Sequence, residues 1–185
     1  MIQCPRYDGE LAPEEVSVTL AELNSAPETD FVDALGSVFE HSPWVAQRVA
    51  AKRPFTSVAA LHDAMVGAVG RAAGERQLEL IRAHPDLAGK AARAGTLTAD
   101  SEQEQAGAGL DRLSEAEYER FHTLNEAYKE TFDFPFIIAV KGHSKESILE
   151  AFEARLRNDQ EAEKRRALDE IAQIARFRLD DLIRN

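Results

Sequence analysis

The sequence predicts an all-α fold, a single-domain bundle of roughly eight helices, on three observations. Apolar residues recur at helical spacing: Phe31, Leu35, Val38 and Phe39 stand at i, i+4, i+7 and i+8, and Leu61, Met65, Ala68 and Val69 repeat the interval. Capping residues precede several of these runs, and prolines or an Asn-Asp pair follow them. No internal repeat, low-complexity tract or Gly/Ser linker divides the chain. Residues 15–185 therefore read as one helical domain behind an irregular segment 1–14.

Taken in order, Phe31 to Phe39 form the first clear amphipathic run. Ser42 then offers a capping hydroxyl before Pro43, which suits a first helical position ahead of Trp44, Val45 and Val49, and Pro54 stops that helix. A histidine directly before a proline is biased out of the α region, so His84 should end the helix carrying Leu78 and Ile81 and project from its terminus. Ser114 and Glu117 read as a capping box opening a helix with Tyr118, Phe121, Tyr128 and Phe132 along one side. That helix should end near Asp133, because Phe134 precedes Pro135. Ser144 can cap a helix with Ile148, Leu149, Phe152 and Leu156. Asn158-Asp159 breaks it before a long final helix carrying Leu168, Ile171, Ala175, Leu179 and Leu182.

Charge and cysteine content narrow the function classes. A formal net charge of −11 argues against a nucleic-acid backbone or an anionic membrane surface as partner, since both favour a basic face. The longest apolar run, Phe136 to Val140, is too short to span a bilayer, and the first residues lack the apolar core of a secretory signal. One cysteine, Cys4, cannot build a disulfide framework or a cysteine zinc cluster. A protein of the reducing cytoplasm acting on a small molecule is the expectation.

Four groups of residues invite chemistry. His84 is one of five histidines, none in a two-ligand spacing such as H-E-x-x-H, so no metal site is expected. Ser101, Glu104 and Gln105 fall at i, i+3 and i+4 and share one helical face; Ser101 to Glu104 also reads as a capping box at a solvated helix start. Gly107 and Gly109 inside such a helix would each cost about 1 kcal/mol relative to alanine, which suggests close backbone packing or room for a ligand. Arg178 stands at the edge of the final apolar stripe, where a guanidinium must meet an anion, either a ligand or an internal carboxylate. Arg155 is a weaker candidate for the same role, while Trp44 and the run Phe134 to Val140 read as core.

These residues belong to blocks whose order is more specific than any one of them: Phe39-Glu40-His41-Ser42-Pro43-Trp44, Arg53-Pro54-Phe55, His84-Pro85-Asp86-Leu87-Ala88-Gly89-Lys90, Ser101 to Leu110, Asn125 to Gly142, and Arg155 to Leu182. Together they resemble the OHCU decarboxylase family, whose members convert 2-oxo-4-hydroxy-4-carboxy-5-ureidoimidazoline to (S)-allantoin in urate breakdown. The resemblance implies His84 and Glu104 as an acid/base pair, with Ser101 and Gln105 binding the hydantoin-like ring. It further implies that Pro85 shapes the pocket, that the backbone of Phe136, Ile137 and Ile138 contacts the ring, and that Arg178 meets the substrate anion. It also implies a homodimer.

The residue types suit that chemistry. Losing CO2 from a carbon beside a ring C=N leaves electron density that the ring delocalises, so no pyridoxal, thiamine or metal sink is required. The protein must then orient the carboxylate, move a proton and deliver it to one face. The competing class is a non-enzymatic helical ligand-binding or interaction module in which His84 and Glu104 pair structurally. A hydrolase fits less well, because neither a nucleophile elbow nor a metal set is present in the sequence.

Overall fold

The structure, a computed structural model, describes residues 18–184; the irregular segment expected over 1–14 lies outside them. Ten helices follow a two-residue strand β1 (Val18–Thr19): α1 (Leu20–Ser25), α2 (Glu28–Leu35), α3 (Trp44–Ala50), α4 (Val58–Gly70), α5 (Gly74–Arg82), α6 (Lys90–Ala94), α7 (Ala99–Gly107), α8 (Glu115–Phe132), α9 (Lys145–Arg155) and α10 (Gln160–Leu182). Eight of the ten reach seven residues or more, and α1 and α6 are the short additions to the expected set. A 3-10 turn (Leu110–Arg112) joins α7 to α8. Strand β2 (Ile183–Arg184) pairs in parallel with β1, Val18 opposite Ile183 and Thr19 opposite Arg184, which ties the end of α10 to the start of α1.

The helices begin where side chains satisfy the first backbone N–H groups. Ser114 and Glu117 form the expected capping box, Ser144 caps α9, and the Asp159 carboxylate accepts from Ala162 N–H at the start of α10. Helix α8 stops at Asp133, which takes a left-handed φ of 62° before the Phe134-Pro135 pair. Helix α10 packs against α4 and α5, α3 lies between α2 and α4, and α8 pairs with α9. The expected stripes are buried: Phe31 and Leu35 on α2, Leu61 and Met65 on α4, Phe121 and Tyr128 on α8, Ile171 and Leu179 on α10. Trp44 is part of the core as expected.

Several local expectations are corrected. Pro43, not Ser42, stands at the α3 N-cap and no side chain caps that helix; the helix ends at Ala50, four residues before Pro54. Thr98 rather than Ser101 caps α7, so Ser101 lies within the first turn and turns its hydroxyl inward instead of closing a solvated start. Gly107 and Gly109 do not interrupt a helix. Gly107 is the last residue of α7, with open space where a Cβ would stand, and Gly109 adopts φ +76°, a turn conformation that favours glycine. The tight packing inferred from those two glycines is therefore absent.

The run Phe134 to Val140 has no regular secondary structure and crosses the interior as an extended strap. Phe136 stacks on Phe152 with centroids 3.7 Å apart, and Tyr128 meets Phe136 edge-on at 5.2 Å. Such aromatic pairs add about 0.5–1.5 kcal/mol beyond the area they bury. Buried polar groups fix the strap: Arg155 Nη1 donates to Ile137 O at 2.6 Å, and Ala139 N–H donates to Glu170 Oε2 at 2.9 Å. Arg155 is itself held by Glu163, which also accepts from Tyr128 and Asn158. A strap pinned from behind presents a defined backbone on its other face.

Candidate active site

The end of α5, the first turns of α7, the strap and α10 enclose a small cleft open to solvent, lined by His84, Pro85, Leu87, Ser101, Glu104, Gln105, Phe136, Ile137, Ile138, Val140 and Ile174. All the sequence-predicted site residues except Arg178 line it. Arg178 lies directly behind, on the carboxylate of Glu104.

His84 leaves the end of α5 one residue past the cap, as the following proline requires. It is 8% exposed, and its Nδ1 lies 2.9 Å from Leu80 O. A carbonyl only accepts, so Nδ1 carries the proton and Nε2 is left with its lone pair in the neutral ring. Burial is the largest influence on the ring and lowers its pKa from 6.5 to about 4, outweighing the opposing effects of the Leu80 carbonyl and the Glu40 charge. The imidazole is neutral at pH 7, with an acceptor nitrogen on a side chain that lines the cleft.

The loop after His84 is braced at Asp86, Leu87 and Ala88. Asn125 Nδ2 donates to Leu87 O at 2.9 Å, Lys129 pairs with Asp86 at 2.8 Å, and Ala88 N–H donates to Gln105 Oε1 at 2.8 Å. Ala88 takes a left-handed φ of 50°, and Gly89 is so close to Asp86 that a Cβ there would stand 2.7 Å from the Asp86 Cβ. Because the Gln105 oxygen is committed to Ala88, its amide NH2 is the group left for a ligand.

Arg178 engages both oxygens of Glu104, Nε to Oε1 at 2.8 Å and Nη2 to Oε2 at 3.0 Å. Its remaining N–H groups reach Glu40 Oε2 at 2.8 Å, Ser37 O at 3.1 Å and Ser101 Oγ at 3.4 Å. All five donors thus meet protein oxygens, the internal-carboxylate alternative for this residue, and contact with a substrate anion would require an exchange of partners. Burial alone would weaken the guanidinium's hold on its proton, but hydrogen bonds and charges from Glu104 and Glu40 raise its pKa. For Glu40, burial pushes the pKa upward, but hydrogen bonds from Thr98 and Arg178 outweigh it and hold the carboxyl below the usual range. Arg155, the weaker anion candidate, is directed to the rear of the strap with its guanidinium 4.4 Å from the Phe136 ring.

Glu40 and Asn125 are site residues that the sequence reasoning did not assign. Asn125 carried a readable signal: it lies between Phe121 and Tyr128 on the buried stripe of α8. Glu40 did not, because it sits in the turn between α2 and α3, where no periodicity distinguishes an inward carboxylate from a solvated one. Among the described residues, no group of three or more His, Cys, Asp or Glu side chains is placed to hold a metal ion.

A neutral buried imidazole and an arginine-forked carboxylate line one small cleft on a helical frame, an arrangement able to accept and position a proton. Residues 24–180 match the family model described as OHCU decarboxylase. The chain belongs to the OHCU decarboxylase family and is a decarboxylase, not a non-catalytic helical module. It is 46% identical over 165 residues to the 2-oxo-4-hydroxy-4-carboxy-5-ureidoimidazoline decarboxylase of Halalkalicoccus jeotgali, covering 89% of this chain and 92% of that one. It is 49% identical over 165 residues to the uric acid degradation bifunctional protein PucL of Bacillus subtilis, covering 89% of this chain but 33% of that longer protein. The crystal structure of an (S)-allantoin synthase superposes with a TM-score of 0.73 at 32% identity, over 90% of this chain and 54% of that chain.

Proposed function

We propose that this protein decarboxylates 2-oxo-4-hydroxy-4-carboxy-5-ureidoimidazoline to (S)-allantoin in urate degradation, with His84 and Glu104 as the acid/base pair. The observation that carries the assignment is the tautomer of His84: Nδ1–H is held by Leu80 O, so a neutral Nε2 lone pair is left on a ring that lines the same cleft as Glu104. Net decarboxylation replaces a carboxylate by hydrogen, so one proton is taken up for each CO2 released. In this reading His84 Nε2 accepts the substrate hydroxyl proton as the C–C bond breaks and the electron pair moves into the ring C=N. The proton held by His84 and one taken up from solvent are then delivered, one to the ring nitrogen that received the electron pair and one to the neighbouring ring carbon from one side, as the hydroxyl-bearing carbon becomes the carbonyl of the product.

Glu104 orients the reacting hydroxyl and shares its proton, and Arg178 keeps that carboxylate in register through its two-pronged contact. The Gln105 NH2 and Ser101 Oγ face the polar edge of the ring, Pro85 shapes the wall beside His84, and the strap at Phe136, Ile137 and Ile138 supplies the opposite wall with its backbone. The substrate is a small molecule. A homodimer is supported by the family resemblance, and a cytoplasmic location by the single cysteine and the acidic balance. Residues 15–185 act in this reading as one helical domain.

Stereospecific turnover tests the assignment. Freshly generated substrate mixed with purified protein should release CO2 and yield allantoin with the circular-dichroism sign of the S enantiomer. Racemic allantoin formed at the uncatalysed rate would reject it.

A further inference from the structure

Glu40 is 2% exposed and reaches the cleft only through other side chains. Its Oε2 lies 3.2 Å from Ser101 Oγ and 2.8 Å from Arg178 Nη1, and its Oε1 accepts from Thr98 Oγ1 at 2.7 Å. Thr98 is in turn the N-cap of α7, accepting from Ser101 N–H at 3.3 Å. The same threonine therefore locks both the carboxylate and the helix turn that carries Ser101.

The direction of the Ser101 hydroxyl follows from elimination. Arg178 Nη2, 3.4 Å from Ser101 Oγ, can only donate. An ionised carboxylate can only accept, so the serine proton must point to Glu40. What remains for the cleft is a lone pair. Gln105 is fixed in the opposite sense, because Ala88 N–H occupies its oxygen and leaves the amide NH2. Two neighbouring positions on one face of α7 thus offer an acceptor and a donor, which matches the adjacent N–H and C=O of a cyclic ureide.

We propose that Glu40 is a positioning residue that sets the hydrogen-bond polarity of the cleft: by taking the Ser101 hydroxyl proton, it makes Ser101 an obligate acceptor for a ring N–H. The proposal rests on the reading that this cleft binds the ureidoimidazoline ring. Without Glu40 the hydroxyl is free to turn its proton inward, and a donor then faces a donor.

A kinetic cycle of Glu40→Ala, Ser101→Ala and the double variant, with freshly generated substrate, tests this. Glu40→Ala and Ser101→Ala should each raise KM by about tenfold, the effect of one neutral hydrogen bond. The double variant should match either single variant, because both remove the same contact. Glu40→Gln keeps an acceptor oxygen and should restore KM to within about threefold of the parent. If Glu40→Ala does not fold, Glu40→Asp carries the same cycle, since it keeps the charge but withdraws the carboxylate by one methylene. A KM rise that multiplies in the double variant, or parent KM in Glu40→Ala or Glu40→Asp while Ser101→Ala is impaired, overturns the proposal. If Ser101→Ala and His84→Asn both turn over at the parent rate, the reading of the cleft itself fails instead.

Discussion

Lowering the pH should destabilise the protein through His84, by an amount the structure sets. The ring is buried among the cleft walls, and burial first of all lowers its pKa to about 4 from the ordinary 6.5. Between these values the unfolded chain holds a proton that the native ring refuses, so stability falls as pH drops through that window. The loss is about 2 kcal/mol by pH 5 and about 3 kcal/mol once the pH is below both values. Acid also acts on other groups of the protein, so the readout is a difference between two proteins. His84→Asn is the partner, because its amide N–H can replace Nδ1–H on the Leu80 carbonyl without titrating. Urea unfolding at pH 7 and pH 5 should show the parent losing about 2 kcal/mol more than the variant. Parallel losses in the two proteins would refute the neutral, buried imidazole.

Further outcomes follow from the same geometry. Arg178→Lys keeps the charge but not the fork on Glu104, so turnover should fall by about 10²-fold in steady-state kinetics, and a rate within twofold of the parent would remove Arg178 from the positioning of Glu104. Gly89→Ala forces a Cβ to within 2.7 Å of the Asp86 Cβ and should displace the loop after His84, lowering activity. Gly107→Ala meets nothing within 4 Å and should leave turnover unchanged while stabilising the fold by up to about 1 kcal/mol in thermal unfolding. Turnover should survive exhaustive chelation, and its loss on chelation with recovery on adding metal would contradict proton transfer by protein groups alone.

Most of the helical frame was legible because burial imposes a period on the chain. Phe31 and Leu35, Leu61 and Met65, and Ile171 and Leu179 are inward at the spacing that predicts them. Caps were legible where side chain and spacing agree, as at Ser114 and Ser144, and failed where a neighbour competes: Thr98, three residues earlier, takes the cap that Ser101 could have supplied. His84 was readable from Pro85, since the dipeptide fixes both the helix end and the exit direction. The partners of Arg178 were not. Which carboxylates it meets depends on Glu104 and Glu40 arriving from 74 and 138 residues away, a tertiary fact that no local pattern carries. For the same reason Arg155 and Arg178 look alike in sequence, yet one braces the strap and the other braces Glu104.

The central claim, that His84 and Glu104 act as a unit on the substrate, is tested most directly by turnover of His84→Asn, Glu104→Gln and the double variant, with circular dichroism of the allantoin formed. His84→Asn should remain folded and lose about 10²–10⁴-fold in turnover, the span of a positioned proton-transfer group. The double variant should lose far less than the product of the two single losses. A folded His84→Asn that decarboxylates at the parent rate and still yields one enantiomer would contradict the account.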